Sequence, residues 1–212
     1  MATEAKRTAR ILPKQLDIFV NILLDQCASL LVRLKFTPNF ITFLAFLTGG
    51  IAGAYFASDK PFTAALLILL CGSFDILDGK VAKLRDLSSQ FGAMLDSVLD
   101  RYSEFFLYLG LAYYFRDHWA LWITFFALLG STMVSYTRAR AEGLGFECRV
   151  GIMQRAERMG LLALAGLIGP WFQIFDPMAI TALILIAVVS NFTACQRMVY
   201  IWKVEKRQQQ DT

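Results

Sequence analysis

The chain has 212 residues, a length that fits one domain, and 57% of them are hydrophobic while only 18% are charged. Because an average soluble domain is less apolar and more charged, this composition excludes an ordinary soluble protein and predicts an integral membrane protein. The formal net charge is +4, and we expect no nucleic-acid partner.

The first 35 residues are predicted to form a tail and an amphipathic helix. Residues 1–13 carry three basic side chains and are expected to be a solvated tail. From Lys14 to Lys35, apolar residues recur at helical spacing opposite a polar face. With basic residues at both ends, such a helix is expected to lie in the membrane interface. Packing on the protein's own surface is an alternative that the sequence leaves open.

Six further segments are predicted to cross the membrane, which requires about 20 residues per helix. Four of them contain no charged residue, whereas the second and third must include charged neighbours to reach across. The predicted fold class is therefore all-α, with spans at 36–58, 62–83, 91–115, 119–137, 159–175 and 177–196. A polar connection is expected from Arg138 to Arg158.

The first span carries its own signals for a helix start and for close packing. Pro38 suits the first helical turn and Thr37 the cap before it. Gly49, Gly50 and Gly53 are expected to allow a neighbouring helix to approach closely.

The basic residues predict the orientation of the spans. Six spans put both termini on one side of the membrane, and 19 of the 21 Lys and Arg residues then fall on that side. By the positive-inside rule, that side is the cytoplasm. The chain is thus predicted to contain a cytoplasmic tail and juxtamembrane helix at 1–35, a six-helix transmembrane domain at 36–203 and a cytoplasmic tail at 204–212.

Four aspartates interrupt the second and third spans. Asp75 and Asp78 are three residues apart, and Asp96 and Asp100 are four apart, so each pair lies on one helix face. Because the two spans run in opposite directions, both pairs are expected at similar depth, in the inner half of the membrane. An acid within the membrane costs about 2.5 to 3.5 kcal/mol on insertion scales and faces a bundle interior or a wet cavity.

Four carboxylates brought together would repel one another unless cations lie between them. Ligand sets made only of oxygen favour Mg²⁺, Ca²⁺ or Mn²⁺ over Zn²⁺, and two divalent ions would neutralise four carboxylates. The aspartates therefore predict a metal site. A polar network that only joins the helices is the alternative.

The aspartates belong to a longer pattern, which reads Asp75-x-x-Asp78-Gly79-x-x-Ala82 and, after nine residues, Gly92-x-x-x-Asp96-x-x-x-Asp100. This pattern resembles the signature of the CDP-alcohol phosphotransferase family. The chain departs from it at Lys83, where the family has Arg. Lysine keeps the charge but loses the bidentate phosphate geometry of arginine, and Arg85 is a candidate to compensate.

The resemblance implies a membrane enzyme that transfers a phosphatidyl-type group from CDP-diacylglycerol, or an ether-lipid analogue, to an alcohol and releases CMP. It implies two Mg²⁺ or Mn²⁺ ions bound by the four aspartates, with Asp100 as the general base. It also implies a homodimer in the lipid bilayer. The CDP-lipid would be bound by Pro38, Asn39, Thr42, Gly79, Ala82, Lys83, Ser89 and Gly92. For the first three of these, a role in starting the helix is an alternative.

Several arginines are expected near the cytoplasmic ends of spans four to six, level with the aspartates. Arginines beside a metal site suggest an acceptor that itself carries phosphate. The segments SYTRARAEGLG and QRAERM resemble the subgroup of this family that makes phosphatidylinositol phosphate or archaetidylinositol phosphate, which implies inositol 1-phosphate as the acceptor. The candidate acceptor-binding residues are Arg138, Arg155, Arg158 and Arg197.

Other interpretations remain open at this point. Ordinary positive-inside residues would also explain the arginines, and the acceptor could be glycerol 3-phosphate, serine or free inositol. A cation transporter could use the same acids, although the outer halves of the spans are almost wholly apolar. A purely structural membrane protein is a third possibility. Four cysteines without C-x-x-C spacing are expected to be small apolar filler.

Overall fold

The computed structural model describes residues 14–148 and 150–210, with only the backbone for residues 14–20. Within these ranges the chain forms α-helices and one short 3-10 helix and no strand, which confirms the all-α class for the described residues. The helices are α1 Lys14–Arg33, α2 Pro38–Ala57, α3 Pro61–Leu84, α4 Gln90–Tyr114, α5 Ala120–Gly143, α6 Arg155–Ile168 and α7 Phe175–Gln210, with the 3-10 helix at Gly169–Phe172. The predicted tail at 1–13 lies outside the described residues.

Helix α2 packs closely against both α3 and α4. A Cβ atom on Gly53 would overlap the carbonyl oxygen of Phe106, and one on Gly110 would overlap that of Gly53, so the two backbones touch here. The predicted close approach is confirmed at Gly53. It is also confirmed at Gly49, where a Cβ atom would overlap the hydroxyl of Ser103 on α4. It is wrong at Gly50, where a Cβ atom would meet nothing within 4 Å.

A core of apolar side chains joins α2, α4, α6 and α7. Its largest fully buried members include Phe56, Leu107 and Leu183. Helices α5 and α7 pack along each other, and α6 packs mainly against α3 and α7. Helices α3 and α4 both pack on α2, and aspartates of the two helices approach one another beside it.

In the part of the chain that the structure describes, the four helices α2, α3, α5 and α7 are long and apolar enough to cross a membrane. Many large apolar side chains on the outside of the bundle are exposed, such as Trp122 and Phe126 on α5 and Val188 on α7. A surface of this kind is typical of a protein surrounded by lipid. Helix α6 has only 14 residues, and α4 contains the charged residues Asp96, Asp100, Arg101 and Glu104, so neither meets the same criterion.

The helix ends differ from the predicted ones mainly near the polar connection. Helix α5 continues to Gly143 and α6 begins at Arg155, so the connection is 144–154 and not 138–158. Helix α7 runs on to Gln210, through most of the predicted charged tail. Charged residues do not stop a helix, because Arg, Glu, Lys and Gln all have good helix propensity. Pro38 opens α2 as predicted, but the side chain of Thr37 makes no capping hydrogen bond.

Helix α1 lies against α3. Ala28 of α1 is buried with Leu77 and Val81 of α3 in a small apolar cluster. At the edge of this cluster, Lys80 Nζ lies 2.5 Å from Asp25 Oδ1. A helix therefore covers Lys14–Arg33, and one side of it packs on the protein itself, while its place in a membrane interface stays a prediction. Other apolar side chains of the helix, among them Ile22, Leu23 and Leu30, are exposed.

Candidate active site

The structure brings three of the four predicted aspartates together. Asp75 and Asp78 lie near the end of α3, and Asp96 lies near the start of α4. One carboxylate oxygen from each lies within 4.8 Å of the other two. Three acids this close repel one another, so the group is suited to binding a cation.

Two of these acids are held in different ways. Asp78 is buried, and its Oδ2 accepts a hydrogen bond of 2.7 Å from Thr42 Oγ1 on α2. Oδ1 of Asp96 is also buried, and among the described residues no group donates a hydrogen bond to it. Buried polar oxygens nearly always have a partner, so this oxygen is in the state expected of a metal ligand.

Asp100 lies outside the three-acid group and is bound by arginine. Arg155 Nη1, at the first position of α6, lies 2.8 Å from Asp100 Oδ1 and 3.1 Å from Asp75 Oδ2. Arg101 is a more distant neighbour, 3.7 Å from Asp100 Oδ2. Asp75 is therefore shared, since it belongs to the acid group and also contacts the arginine that binds Asp100.

The residues present fit a hard divalent cation. Their ligand atoms are all carboxylate oxygens, which Mg²⁺ and Mn²⁺ prefer. The hydrogen bond from Thr42 to Asp78 fixes one ligand as outer partners do in metal sites. Asp75, Asp78 and Asp96 could therefore hold one ion between them, and Asp100 lies beside this group.

A cavity of about 250 Å³ opens next to the three acids, between α2, the end of α3 and the start of α4. Its wall contains all eight residues expected to bind the CDP-lipid: Pro38, Asn39, Thr42, Gly79, Ala82, Lys83, Ser89 and Gly92. The sequence analysis missed Leu87, Ser88 and Ala93, which also line it. These residues carry no charge and no periodic signal, so only the position of the turn between α3 and α4 shows that they face the cavity.

The start of α4 gives this cavity a site suited to phosphate. Ser89 caps α4, and its Oγ accepts a hydrogen bond of 3.0 Å from the backbone nitrogen of Gly92. Free backbone N–H groups and the helix dipole at a helix start favour anions. A Cβ atom on Gly79 would meet no atom within 4 Å, so this glycine leaves room at the cavity wall.

The predicted acceptor-binding arginines lie in different environments. Arg155 contacts Asp75 and Asp100, as described above. Arg138 lies in the wall of a larger cavity of about 740 Å³ between α4 and α5, where its Nε donates to Glu142 Oε1 at 2.9 Å. Arg197 is buried and donates to the backbone oxygens of Val134 and Val150.

Arg158 has a partner that the sequence analysis missed. Its Nε and Nη2 donate to the two carboxylate oxygens of Glu104 at 2.7 and 3.0 Å, and both side chains are buried. Glu104 follows Asp100 by four residues, so it lies on the same face of α4. That spacing is the signal that would have identified it.

Comparison with known proteins decides which family uses such a site. A model of the family described as CDP-alcohol phosphatidyltransferase matches residues 35–204. The chain belongs to this family. As a CDP-alcohol phosphatidyltransferase, it is a transferase of phospholipid synthesis, and this supports the enzyme over the cation transporter and the purely structural protein.

Curated relatives from this family are similar over most of the chain. The chain is 41% identical over 175 residues to an archaetidylinositol phosphate synthase of Methanothermobacter thermautotrophicus, covering 81% of this chain and 86% of the relative. It is 35% identical over 179 residues to a phosphatidylinositol phosphate synthase of Mycobacterium marinum, covering 81% and 76%.

A solved phosphatidylinositol phosphate synthase, from Mycobacterium tuberculosis with CDP-DAG bound, has a similar fold. Its TM-score is 0.78 at 29% identity, over 84% of this chain and 93% of that one. A structure of the same enzyme with manganese and citrate gives 0.79 at 29% identity, over 84% and 88%. Manganese in that relative agrees with the ion type that the aspartates of this chain fit.

Proposed function

We propose that this protein transfers a phosphatidyl-type group from a CDP-linked lipid to a hydroxyl of inositol 1-phosphate and releases CMP. The observation that carries the proposal is the cavity whose wall contains all eight expected CDP-lipid residues, directly beside three clustered aspartates. The names of the relatives support the choice of acceptor, and CDP-DAG bound to a related enzyme supports the donor.

The donor is bound by backbone and charge at the 250 Å³ cavity. The pyrophosphate lies at the start of α4, because backbone N–H groups at a helix start favour an anion. Lys83 in the cavity wall adds a positive charge. Gly79 and Gly92 let the nucleotide lie against the helices because they have no side chain. An ether-lipid donor would use the same groups, since the contacts involve the CDP end.

Asp100 acts as the general base of the transfer. It takes the proton of the acceptor hydroxyl as the oxygen attacks the lipid-side phosphorus, and the bond from that phosphorus to the CMP oxygen breaks. Arg155, which contacts Asp100 in the structure, orients this carboxylate and meets the phosphate of the acceptor.

Two Mg²⁺ or Mn²⁺ ions serve the reaction, with Asp75, Asp78, Asp96 and Asp100 as their ligands. When bound, the ions neutralise the charge of the pyrophosphate and of the oxygen that leaves with CMP. Asp75 and Asp100 both contact Arg155, at 3.1 and 2.8 Å, so each would share its carboxylate between this arginine and an ion.

The acceptor is bound by arginines because it carries a phosphate. Arg138 and Arg155 have guanidinium groups beside a cavity or the acids, which supports a direct contact. Arg197 donates to backbone oxygens through Nε and Nη1, so a contact with the acceptor would use its other N–H groups. Arg158 as an acceptor ligand stays a prediction, and its bidentate bond to Glu104 gives it a competing partner.

In the membrane, α2 to α7 form six spans with the active site and both termini facing the cytoplasm, as the distribution of basic residues favours. Helix α6 completes its crossing through the 3-10 helix at Gly169–Phe172. The exposed apolar side chains of α1 rest in the interface. The domain limits are 1–35, 36–203 and 204–212, and two copies form a homodimer.

The test is a panel assay with purified protein, CDP-diacylglycerol and Mg²⁺, in which one alcohol is added at a time and CMP release is measured. Inositol 1-phosphate is expected to give the highest kcat/KM, above glycerol 3-phosphate, serine and free inositol. Equal CMP release with free inositol would contradict the phosphorylated acceptor, and no release with any alcohol would contradict the transfer itself.

A further inference from the structure

Glu104 and Arg158 form a deeply buried ion pair in the interior of the bundle. Their side chains are 6% and 1% exposed, and two parallel hydrogen bonds join them. Burying two charges carries a desolvation penalty, and apolar residues of the same volume are often as stable. Stability alone is therefore a weak reason for this pair.

The pair lies one helical turn beyond the candidate active site on both helices. Glu104 follows Asp100 by four residues on α4, and Arg158 follows Arg155 by three residues on α6. Each member is thus on the same helix face as its neighbour. Helix α6 packs mainly against α3 and α7. Among the described residues, its ion pairs with α4 are formed by Arg155 and Arg158.

Arg155 occupies a position that needs support from elsewhere. It is the first residue of α6, and the capping box between Gln154 and Glu157 closes this turn without fixing it against α3 or α4. Its Nη1 nevertheless lies 3.1 Å from Asp75 on α3 and 2.8 Å from Asp100 on α4. A small rotation or shift of α6 would break one of these contacts. Arg158 lies inside the same first turn and also donates to the oxygen of Met153, just before the helix, at 3.4 Å.

We propose that Glu104 is a positioning residue for the transfer reaction. By binding Arg158, it holds the first turn of α6 at one height and rotation, so that Arg155 lies between Asp75 and Asp100. This inference rests on the proposed function, because it takes Asp100 as the general base. It gives Arg158 a role through Glu104 in place of direct contact with the acceptor.

The kinetic test is a double-mutant cycle on CMP release with Glu104→Gln and Arg155→Lys, alone and together. Glu104→Gln is expected to lower kcat roughly tenfold, with each KM within about twofold of its original value. Once Arg155→Lys has removed the bridging guanidinium, Glu104→Gln should have little further effect. A loss by the same factor in both backgrounds would overturn the proposal, since a merely structural pair gives additive effects.

Tyr114 supplies the matched control, because it lies on α4 further from the active site and is half-buried. Its hydroxyl donates a hydrogen bond to Asp176 Oδ1 of α7 at 2.6 Å. Tyr114→Phe should lower thermal stability but leave kcat unchanged. A fall in kcat equal to that of Glu104→Gln would refute positioning and indicate a general need for a rigid core.

Two further variants keep the test informative if Glu104→Gln does not fold. Glu104→Gln with Arg158→Gln removes both charges and leaves an amide pair, and kcat is expected to fall about as far as in the single variant. Arg158→Lys keeps the charge but cannot form the two parallel hydrogen bonds to Glu104, so it should lower kcat as well. A raised acceptor KM with unchanged kcat would overturn the proposal and return Arg158 to the acceptor site.

Cys71 allows a test that needs no turnover. Its Sγ lies 3.9 Å from Arg155 Nη2, and the residue is only 5% exposed. With Cys27, Cys148 and Cys195 replaced by serine, maleimide labelling of Cys71 should be several-fold faster in Glu104→Gln than in the parent.

Labelling of Cys71 that is unchanged in both Glu104→Gln and the double glutamine variant would show that Arg155 has not moved, which would overturn the proposal. Because labelling does not depend on the acceptor, this result is separate from the panel assay. Failure of the proposed function would appear as absent CMP release in the unmodified protein, whatever the labelling rates are.

Discussion

Two groups of acids and arginines lie on neighbouring turns of α4 and α6, and they differ in how their charges are balanced. Glu104 and Arg158 match one carboxylate with one guanidinium and are closed to solvent. One turn earlier, Arg155 is shared by Asp75 and Asp100, and within the described residues Asp78 and Asp96 form no ion pair with any arginine or lysine.

The difference shows how the same residue types serve two purposes. A matched buried pair has no remaining charge to offer a ligand, so it can only hold helices in place. Acids in excess over their arginines keep a negative charge that a metal ion can neutralise. The site is therefore where the charges of the protein are left unbalanced, and the predictions below test that contrast.

Removal of divalent ions should have the largest effect. Treatment with a chelator is expected to reduce CMP release to background, because four acids without cations cannot hold a pyrophosphate, and added Mn²⁺ should restore it. Mn²⁺ should also raise the melting temperature of the protein, as ligands of the native state do. Full activity in the chelator would contradict a metal site at the unbalanced acids, as would a melting temperature that Mn²⁺ does not change.

Asp100→Asn should have the next largest effect. The amide cannot accept the acceptor's proton, so kcat for CMP release is expected to fall by about 10²–10⁴ while the fold is retained. Asp86→Asn is the matched control, since Asp86 is an exposed acid in the turn between α3 and α4. Near-normal turnover in Asp100→Asn would remove this residue as the base.

Thr42→Val should weaken metal binding to a smaller extent. It removes the hydrogen bond of 2.7 Å that holds Asp78, and loss of such an outer partner typically costs about 10–100-fold in metal affinity or activity. Titration with Mn²⁺ in the absence of substrates measures the change. Thr48→Val is the control, because among the described residues the Thr48 hydroxyl donates only to backbone oxygens of its own helix. Equal Mn²⁺ affinity in both variants would show that Thr42 does not fix a metal ligand.

Lys83→Arg should have the smallest effect and the opposite sign. The guanidinium that the family has at this position can bind phosphate with two hydrogen bonds, so the KM for CDP-diacylglycerol is expected to fall by a few fold. Lys80→Arg is the control, since Lys80 faces Asp25 of α1 and not the cavity. A raised KM in Lys83→Arg would mean that the cavity is shaped for lysine.

Much of the fold and part of the site follow from patterns along the chain. The helix start at Pro38 follows from proline at the first turn. Three aspartates meet because their spacing puts them on single faces of two helices that run in opposite directions. The ends of α5 and α7 could not be predicted in this way, because charged residues extend a helix as readily as they form a loop.

By itself, the sequence determined the all-α class and the apolar helices, because each depends on periodicity within a single helix. The eight residues expected at the cavity came from the resemblance of the motif to a known family. Only the tertiary structure decided which arginine binds which acid, since a guanidinium pairs with whatever carboxylate the packing of distant helices brings near. Arg155 and Arg158 are both arginines and lie three residues apart. Arg155 contacts two aspartates of the candidate active site, whereas Arg158 forms a buried one-to-one ion pair with Glu104.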